Sequence, residues 1–237
     1  MIFRMLDFLF PRLCVSCGRR LAATEKYLCC ECLRGLPRTN YHLQLPNPLE
    51  QLFWGQIPIE KATGFFFYYG QNTRGVIHKL KYRNNPVVGE YLARVMTDEI
   101  RGSGFFDGVD VVVPVPLAVR RFLHRGYNQC EWIARGVGAE LDLPVESRAV
   151  RRVKDNPTQT RLEATDRWDN VGGVFRLDEG WRVAGKHVLI VDDVITTGAT
   201  TVTCAQEIMK AGNVRFSVLS LAVAGERMLE QPINPLV

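Results

Sequence analysis

Long hydrophobic runs are missing from this chain. No apolar stretch reaches the ~20 residues that a membrane-spanning helix needs, so no membrane insertion is expected. The N-terminal MIFRMLDFLFP is apolar but short, is interrupted by Arg4 and Asp7, and lacks a small-residue cleavage site. It reads as an amphipathic turn packed on the body rather than a secretory signal, and a cytoplasmic location is expected. Internal repeats and low-complexity segments are absent too, which argues against a repeat architecture. Histidine is scarce, with four in 237 residues. His78, His124 and His187 are available for proton transfer, but His187 opens an apolar strand and reads as structural. No catalytic acid or base can be named.

What is present is a globular composition, 46% hydrophobic and 23% charged, enough for one ordinary domain and an appendage. Strand patterns alternate with helical ones. Residues 64–70 (GFFFYYG) read as a strand, Arg74–Tyr82 as a helix, and Pro86 opens a helix running to Ile100. Asp110–Val113 reads as a buried strand, Asn128–Leu141 as a helix, and Val145 as the start of a short strand. The central strand falls at 187–191, a helix follows through Met209 with Gly212 as its stop, and Val214–Val223 forms a last strand. This alternation predicts an α/β fold, a mostly parallel sheet with helices on both faces. The chain divides into a cysteine-rich module at 1–36, a proline-bearing connector at 37–58 and an α/β domain at 59–237.

Five of the seven cysteines fall between positions 14 and 32. Cys14 and Cys17 make one CxxC unit, and Cys29 and Cys32 a second. Two such units in an intracellular segment predict a structural Zn²⁺ site of four cysteines. The alternative, disulfides, conflicts with the expected compartment. Cys30 could replace Cys29 or Cys32, although only that pair keeps the CxxC spacing. Cys130 and Cys204 read as core thiols.

The richest segment is Val188–Thr201, VLIVDDVITTGATT. Its four leading apolar residues suit a buried parallel strand, and ligands of open α/β sheets bind at the carboxyl ends of strands. Asp192 and Asp193 stand where the strand emerges. Thr196, Thr197, Gly198, Ala199 and Thr200 then lead into a helix, whose free N–H groups favour a phosphate. Carboxylates beside an anion site would repel it unless they hold sugar hydroxyls or a divalent metal. Together they ask for a phosphorylated sugar.

This segment resembles the 5-phosphoribosyl-1-pyrophosphate (PRPP) motif of type I phosphoribosyltransferases. The resemblance implies that Asp192 and Asp193 hold the ribose hydroxyls and that residues 196–200 wrap the 5′-phosphate. It implies a pyrophosphate loop at Val115, Pro116 and Leu117, with Arg120, Arg121 and Arg125 adding charge. It also implies a closing loop containing Thr158, Gln159, Thr160 and Arg161, and Mg²⁺ bound together with PRPP.

The paired CxxC units, KLKYRNN at 79–85, RGYNQ at 125–129, the TQTR run from 158 and the DD–TTGAT segment occur in one order. In that order they resemble the competence protein F (ComF) family. Its members join a zinc finger to a phosphoribosyltransferase-like domain and are implicated in natural transformation. Two functions follow. One is an enzyme passing a ribosyl group from PRPP to an unidentified acceptor. The other is a single-stranded DNA-binding accessory of the competence machinery, working with other competence proteins, with PRPP as a regulatory ligand. That second reading draws on three basic groups, around 74–83, 120–125 and 148–154, and on aromatics such as Tyr82, Phe122 and Tyr127. The net charge of +5 does not choose between them.

Overall fold

A computed structural model of the chain describes residues 11–82, 85–154 and 173–224. Two short helices come first, α1 (Cys30–Arg34) and α2 (Pro48–Gln51), then strand β1 (Ile59–Phe67). Helices α3 (Gly70–Tyr82) and α4 (Val87–Ile100) lead to β2 (Val111–Pro114). Next come α5 (Val119–Arg125), α6 (Gln129–Leu141), and the short strands β3 (Val150–Arg152) and β4 (Phe175–Leu177). The body closes with β5 (His187–Ile195), α7 (Ala199–Ile208) and β6 (Arg215–Val223).

The main sheet has the order β1-β6-β5-β2, and every pairing in it is parallel. Val145 adds an isolated parallel bridge to Val112 beyond β2. β3 and β4 form a separate antiparallel pair. The apolar run of β5 is explained by burial on both faces. Leu189 and Val191 pack with Leu219, Leu221 and residues of α3, α4 and α6. Val188 and Ile190 pack on the opposite face with Phe216, Val218 and residues of α7. A strand covered on both sides reads as a continuous hydrophobic run rather than an alternation. The architecture is the expected α/β one, with helices on both faces.

Several boundaries differ from the sequence reading. β1 begins at Ile59 rather than 64, because its polar first half already pairs with β6. α3 starts at Gly70, where φ is +78°, and buries Val76, Ile77 and Leu80 as expected. The segment expected only to precede a helix at 120–129 is itself helical as α5. Val145 makes one bridge, and the strand proper starts at Val150. The connector at 37–58 carries α2, fixed by a reciprocal cap in which Asn47 accepts from Leu49 and Glu50 N–H groups while Glu50 reaches back. The difference that matters most is at β5. The strand does not end at 191 but stays paired with β6 to Ile195, so the two aspartates lie within it.

The cysteine module packs against the body. Cys14, Leu21, Leu28 and Leu36 belong to the same core as α3 and α4, and Tyr27 meets Tyr91 with ring centroids 5.4 Å apart. Among the described residues no helix is long and apolar enough to cross a membrane.

Candidate functional site

The C-terminal end of β5 opens into a polar pocket of about 190 Å³. Asp192 and Asp193 sit at its base, 8% and 6% exposed. Both accept hydrogen bonds from neighbouring donors. The Asp193 N–H and the Cys130 thiol donate to Asp192 Oδ1 (2.8 and 3.4 Å), and the Thr201 hydroxyl donates to Oδ2 (3.3 Å). Asp193 Oδ2 accepts from Gln129 Nε2 at 2.9 Å and pairs with the Lys81 ammonium at 3.0 Å. Burial, and then the charge of Asp193, push the Asp192 carboxyl up to about 7, while the Asp193 N–H, the Cys130 thiol and Lys81 pull it back. Two carboxylates this close cannot both ionise cheaply.

The loop after β2 lines the same pocket and is pinned at Val115 through both its N–H and its carbonyl. The Val115 N–H donates to Val191 O at 2.9 Å. Asn128 caps α6 by accepting from the Cys130 N–H (3.1 Å), while its own amide donates to Val115 O (3.1 Å). One side chain thus fixes both the loop and the helix that delivers Gln129 and Cys130. Val115, Pro116, Leu117, Arg121 and Arg125 line the pocket with the aspartates and Thr200, whereas Arg120 does not. Thr196 and Thr197 are exposed on the adjoining turn. Gly198 is buried with φ +75°, and a Cβ there would lie 3.2 Å from the Phe53 ring. Only glycine suits that left-handed, packed position. Thr158, Gln159, Thr160 and Arg161 lie outside the described residues.

Asn128 and Gln129 line the pocket without having been assigned a role from sequence, and Lys81 and Arg152, expected only as members of basic groups, line it too. Lys81 and Gln129 lie inside KLKYRNN and RGYNQ, which was the available signal. No spacing rule brings either to a carboxylate more than 60 positions away. Cys130 is buried, as a core thiol should be, yet it also contacts the acidic pair. Tyr127, expected among DNA-stacking aromatics, is buried with its hydroxyl donating to Leu80 O, so its ring is not available for stacking.

The four cysteines expected as ligands converge. The Sγ atoms of Cys14, Cys17, Cys29 and Cys32 all lie within 4.8 Å of one another, and Cys17 and Cys29 are 3.8 Å apart. Cys30 is exposed and outside the cluster, its N–H donating to Glu25. Burial opposes ionisation of Cys14, but N–H groups of Cys17, Cys29 and Ser16 bring it down to about 6. Burial pushes Cys32 up to about 12. Four neighbouring thiols cannot all become thiolates without a cation among them, so the set could bind a metal such as zinc.

No protein-family model matches the chain. Competence protein F of Haemophilus influenzae is 27% identical over 230 residues, covering 93% of this chain and 100% of that protein. DNA utilization protein YhgH of Escherichia coli (strain K12) is 32% identical over 218 residues, covering 88% and 89%. The chain belongs to the competence protein F family. A solved structure of the allosteric regulatory enzyme of purine biosynthesis overlays with a TM-score of 0.39 at 20% identity, covering 60% of this chain and 30% of the other. In this competence protein F family member, the acidic pair stands near the carboxyl end of β5, inside a parallel sheet covered by helices on both faces.

The Asp192 environment makes a pH prediction. In the unfolded chain this carboxyl ionises near its ordinary value of about 4, but in the folded protein only near 7. The folded state therefore holds the extra proton between those values, and stability falls as pH rises from about 4 to 7. Asp192→Asn removes this penalty. Its melting temperature should match the parent near pH 4 and exceed it by a few degrees at pH 7.5. A difference that does not change with pH would contradict the assignment.

Proposed function

We propose that this protein binds PRPP with Mg²⁺ at the end of β5 and passes the ribosyl group to an acceptor, within a role in DNA uptake or utilisation. The observation that carries the reading is the buried Asp192–Asp193 pair set among four cations, Lys81, Arg121, Arg125 and Arg152, in one pocket. The cations suit phosphates, and the carboxylates suit ribose hydroxyls, for which a carboxylate is an acceptor that phosphate groups cannot replace. Val115 to Leu117 would offer backbone amides to the pyrophosphate, and residues 196–200 would wrap the 5′-phosphate at the start of α7. Mg²⁺ would be held mainly by substrate oxygens and water, as its hydration preference dictates. Rate acceleration would come from positioning the sugar and stabilising the leaving pyrophosphate rather than from a covalent nucleophile. The DNA role is supported by the relatives' names, DNA utilization protein and competence protein F.

Titration calorimetry tests the pocket. Asp192→Asn combined with Asp193→Asn should weaken PRPP–Mg²⁺ binding at least a hundredfold while far-UV circular dichroism stays unchanged. Unaltered affinity removes the reading.

We further propose that Cys14, Cys17, Cys29 and Cys32 hold structural Zn²⁺, which would supply folding energy to a segment with few apolar residues of its own. Purified protein should contain about one zinc per chain. Cys17→Ser should lose it and melt earlier, and a metal-free parent of equal stability rules the site out.

A second reading, single-stranded DNA binding, is favoured by the exposed ridge where the Arg125 guanidinium lies 5.0 Å over the Tyr82 ring and Phe122 stands half-exposed nearby in sequence. Such binding should fall steeply with salt concentration. Salt-insensitive binding, or none at low salt, excludes it.

A further inference from the structure

Cys130 has no part in holding a sugar phosphate, yet it stands in the same polar pocket. Asn128 caps α6, and the first two residues of that helix, Gln129 and Cys130, are delivered together to the acidic pair. Both are buried, at 4% and 3% exposed. The Cys130 Sγ and one carboxylate oxygen from each of Asp192 and Asp193 all lie within 4.8 Å of one another. Sγ is 3.4 Å from Asp192 Oδ1. A tetrahedral ion with Zn–S of about 2.3 Å and Zn–O of about 2.0–2.2 Å sets its sulfur and oxygen ligands roughly 3.5 Å apart. The thiol and the carboxylate therefore already stand at ligand spacing.

A thiol beside two carboxylates does not make a site, because a hydrogen bond explains the same spacing. Gln129 is the deciding residue. Its Nε2 donates to Asp193 Oδ2 at 2.9 Å, but Oε1, at the other end of the same amide, is buried and has no hydrogen-bond partner. A buried carbonyl oxygen is seldom left so, since the hydration it lost is not replaced. An amide oxygen accepts either a donor or a cation. Beside a carboxylate that already holds the Gln129 amide and the Lys81 ammonium, a cation shared with that carboxylate supplies the missing partner.

We infer that Cys130, Asp192, Asp193 and Gln129 form a binding site for a thiophilic divalent cation of the zinc class, with Sγ, two carboxylate oxygens and Oε1 as its ligands. On binding, the metal–sulfur bond replaces the S–H bond, and the thiol proton passes to water. The thiolate and the two carboxylates then carry three negative charges, which the ion and the Lys81 ammonium balance. Sulfur sets the selectivity, because thiolate favours zinc-like ions, whereas Mg²⁺ keeps oxygen ligands and water. The site is separate from the cluster of Cys14, Cys17, Cys29 and Cys32. Only its consequence for PRPP rests on the function proposed above. An ion held by both aspartates takes their oxygens from the sugar hydroxyls, so a zinc-class cation would inhibit where Mg²⁺ supports binding.

Full-length protein prepared with Zn²⁺ is titrated with Co²⁺, whose bond to thiolate absorbs in the near ultraviolet and whose bonds to oxygen do not. The four-cysteine cluster is common to the parent and the variants, so the difference between them reports the pocket. Cys130→Ala and Cys130→Ser should lose this pocket absorption and bind Co²⁺ at least about tenfold more weakly, with unchanged far-UV circular dichroism. Gln129→Met should keep the absorption and weaken Co²⁺. Cadmium NMR of the unmutated protein checks the site without any substitution, through a resonance from a single-sulfur site distinct from that of four thiolates. Zn²⁺ should weaken PRPP–Mg²⁺ binding more in the parent than in Cys130→Ala. Cys130-dependent Co²⁺ absorption without PRPP binding upholds the cation site and removes the sugar-phosphate reading. Equal Co²⁺ absorption by the parent and both Cys130 variants, or no single-sulfur cadmium resonance, overturns the cation site and leaves PRPP binding standing.

Discussion

The acidic pair at the end of β5 is the constraint around which this molecule is arranged. Two adjacent carboxylates, each more than nine-tenths buried, lose hydration that only charge-assisted contacts can offset. The protein supplies them from four separate elements: Lys81 from α3, Gln129 and Cys130 from α6, Thr201 from α7, and the backbone of the strand itself. Removing any one leaves a buried acceptor short of a donor. The pair therefore fixes where α3 must end and where α6 and α7 must begin relative to the sheet.

That requirement explains features far from the carboxylates. β5 stays paired with β6 through Ile195, which keeps both aspartates at a defined height above the core instead of on a free loop. The turn that follows is packed against Phe53, which is fully buried and is delivered by the connector through α2 and its Asn47–Glu50 cap. Asn128 bridges the loop after β2 to the start of α6. A change in the connector or at Asn128 would reach the acidic pair through these contacts without touching it.

The fold and the centre of the site were legible in the sequence because both are local signals. VLIV followed by DD and TTGAT states a buried strand, an acidic exit and a helix start within fourteen residues, and the CxxC spacing states the cysteine cluster. What escaped reading is long-range. The pairing of Lys81 with Asp193 joins α3 to β5 across α4, β2, α5, α6, β3 and β4, and a lysine in a basic helix looks like one solvated cation among several. The length of β5 was missed for the opposite reason. Aspartates are poor strand residues, and it is the parallel partner at Ser220 and Ala222 that holds the segment extended. The helix at 119–125 gave no amphipathic signal because it has no buried face to produce one.

The balance of charge in the pocket supports the ligand proposed for it. Four cations face two carboxylates, and Lys81 is already paired with one of them. A ligand that was only anionic would gain from the arginines but would meet the aspartates unfavourably. A ligand that was only polyhydroxylic would satisfy the aspartates and leave Arg121 and Arg125 without counter-charge. A molecule with separated anionic ends and hydroxyls between them, as proposed above, would satisfy both halves at once. The same pairing gives Lys81 a choice, since an incoming polyanion competes with Asp193 for its ammonium. Asp193 would then turn its freed lone pairs to the ligand's hydroxyls, so that capture of the charged end and of the sugar become one step.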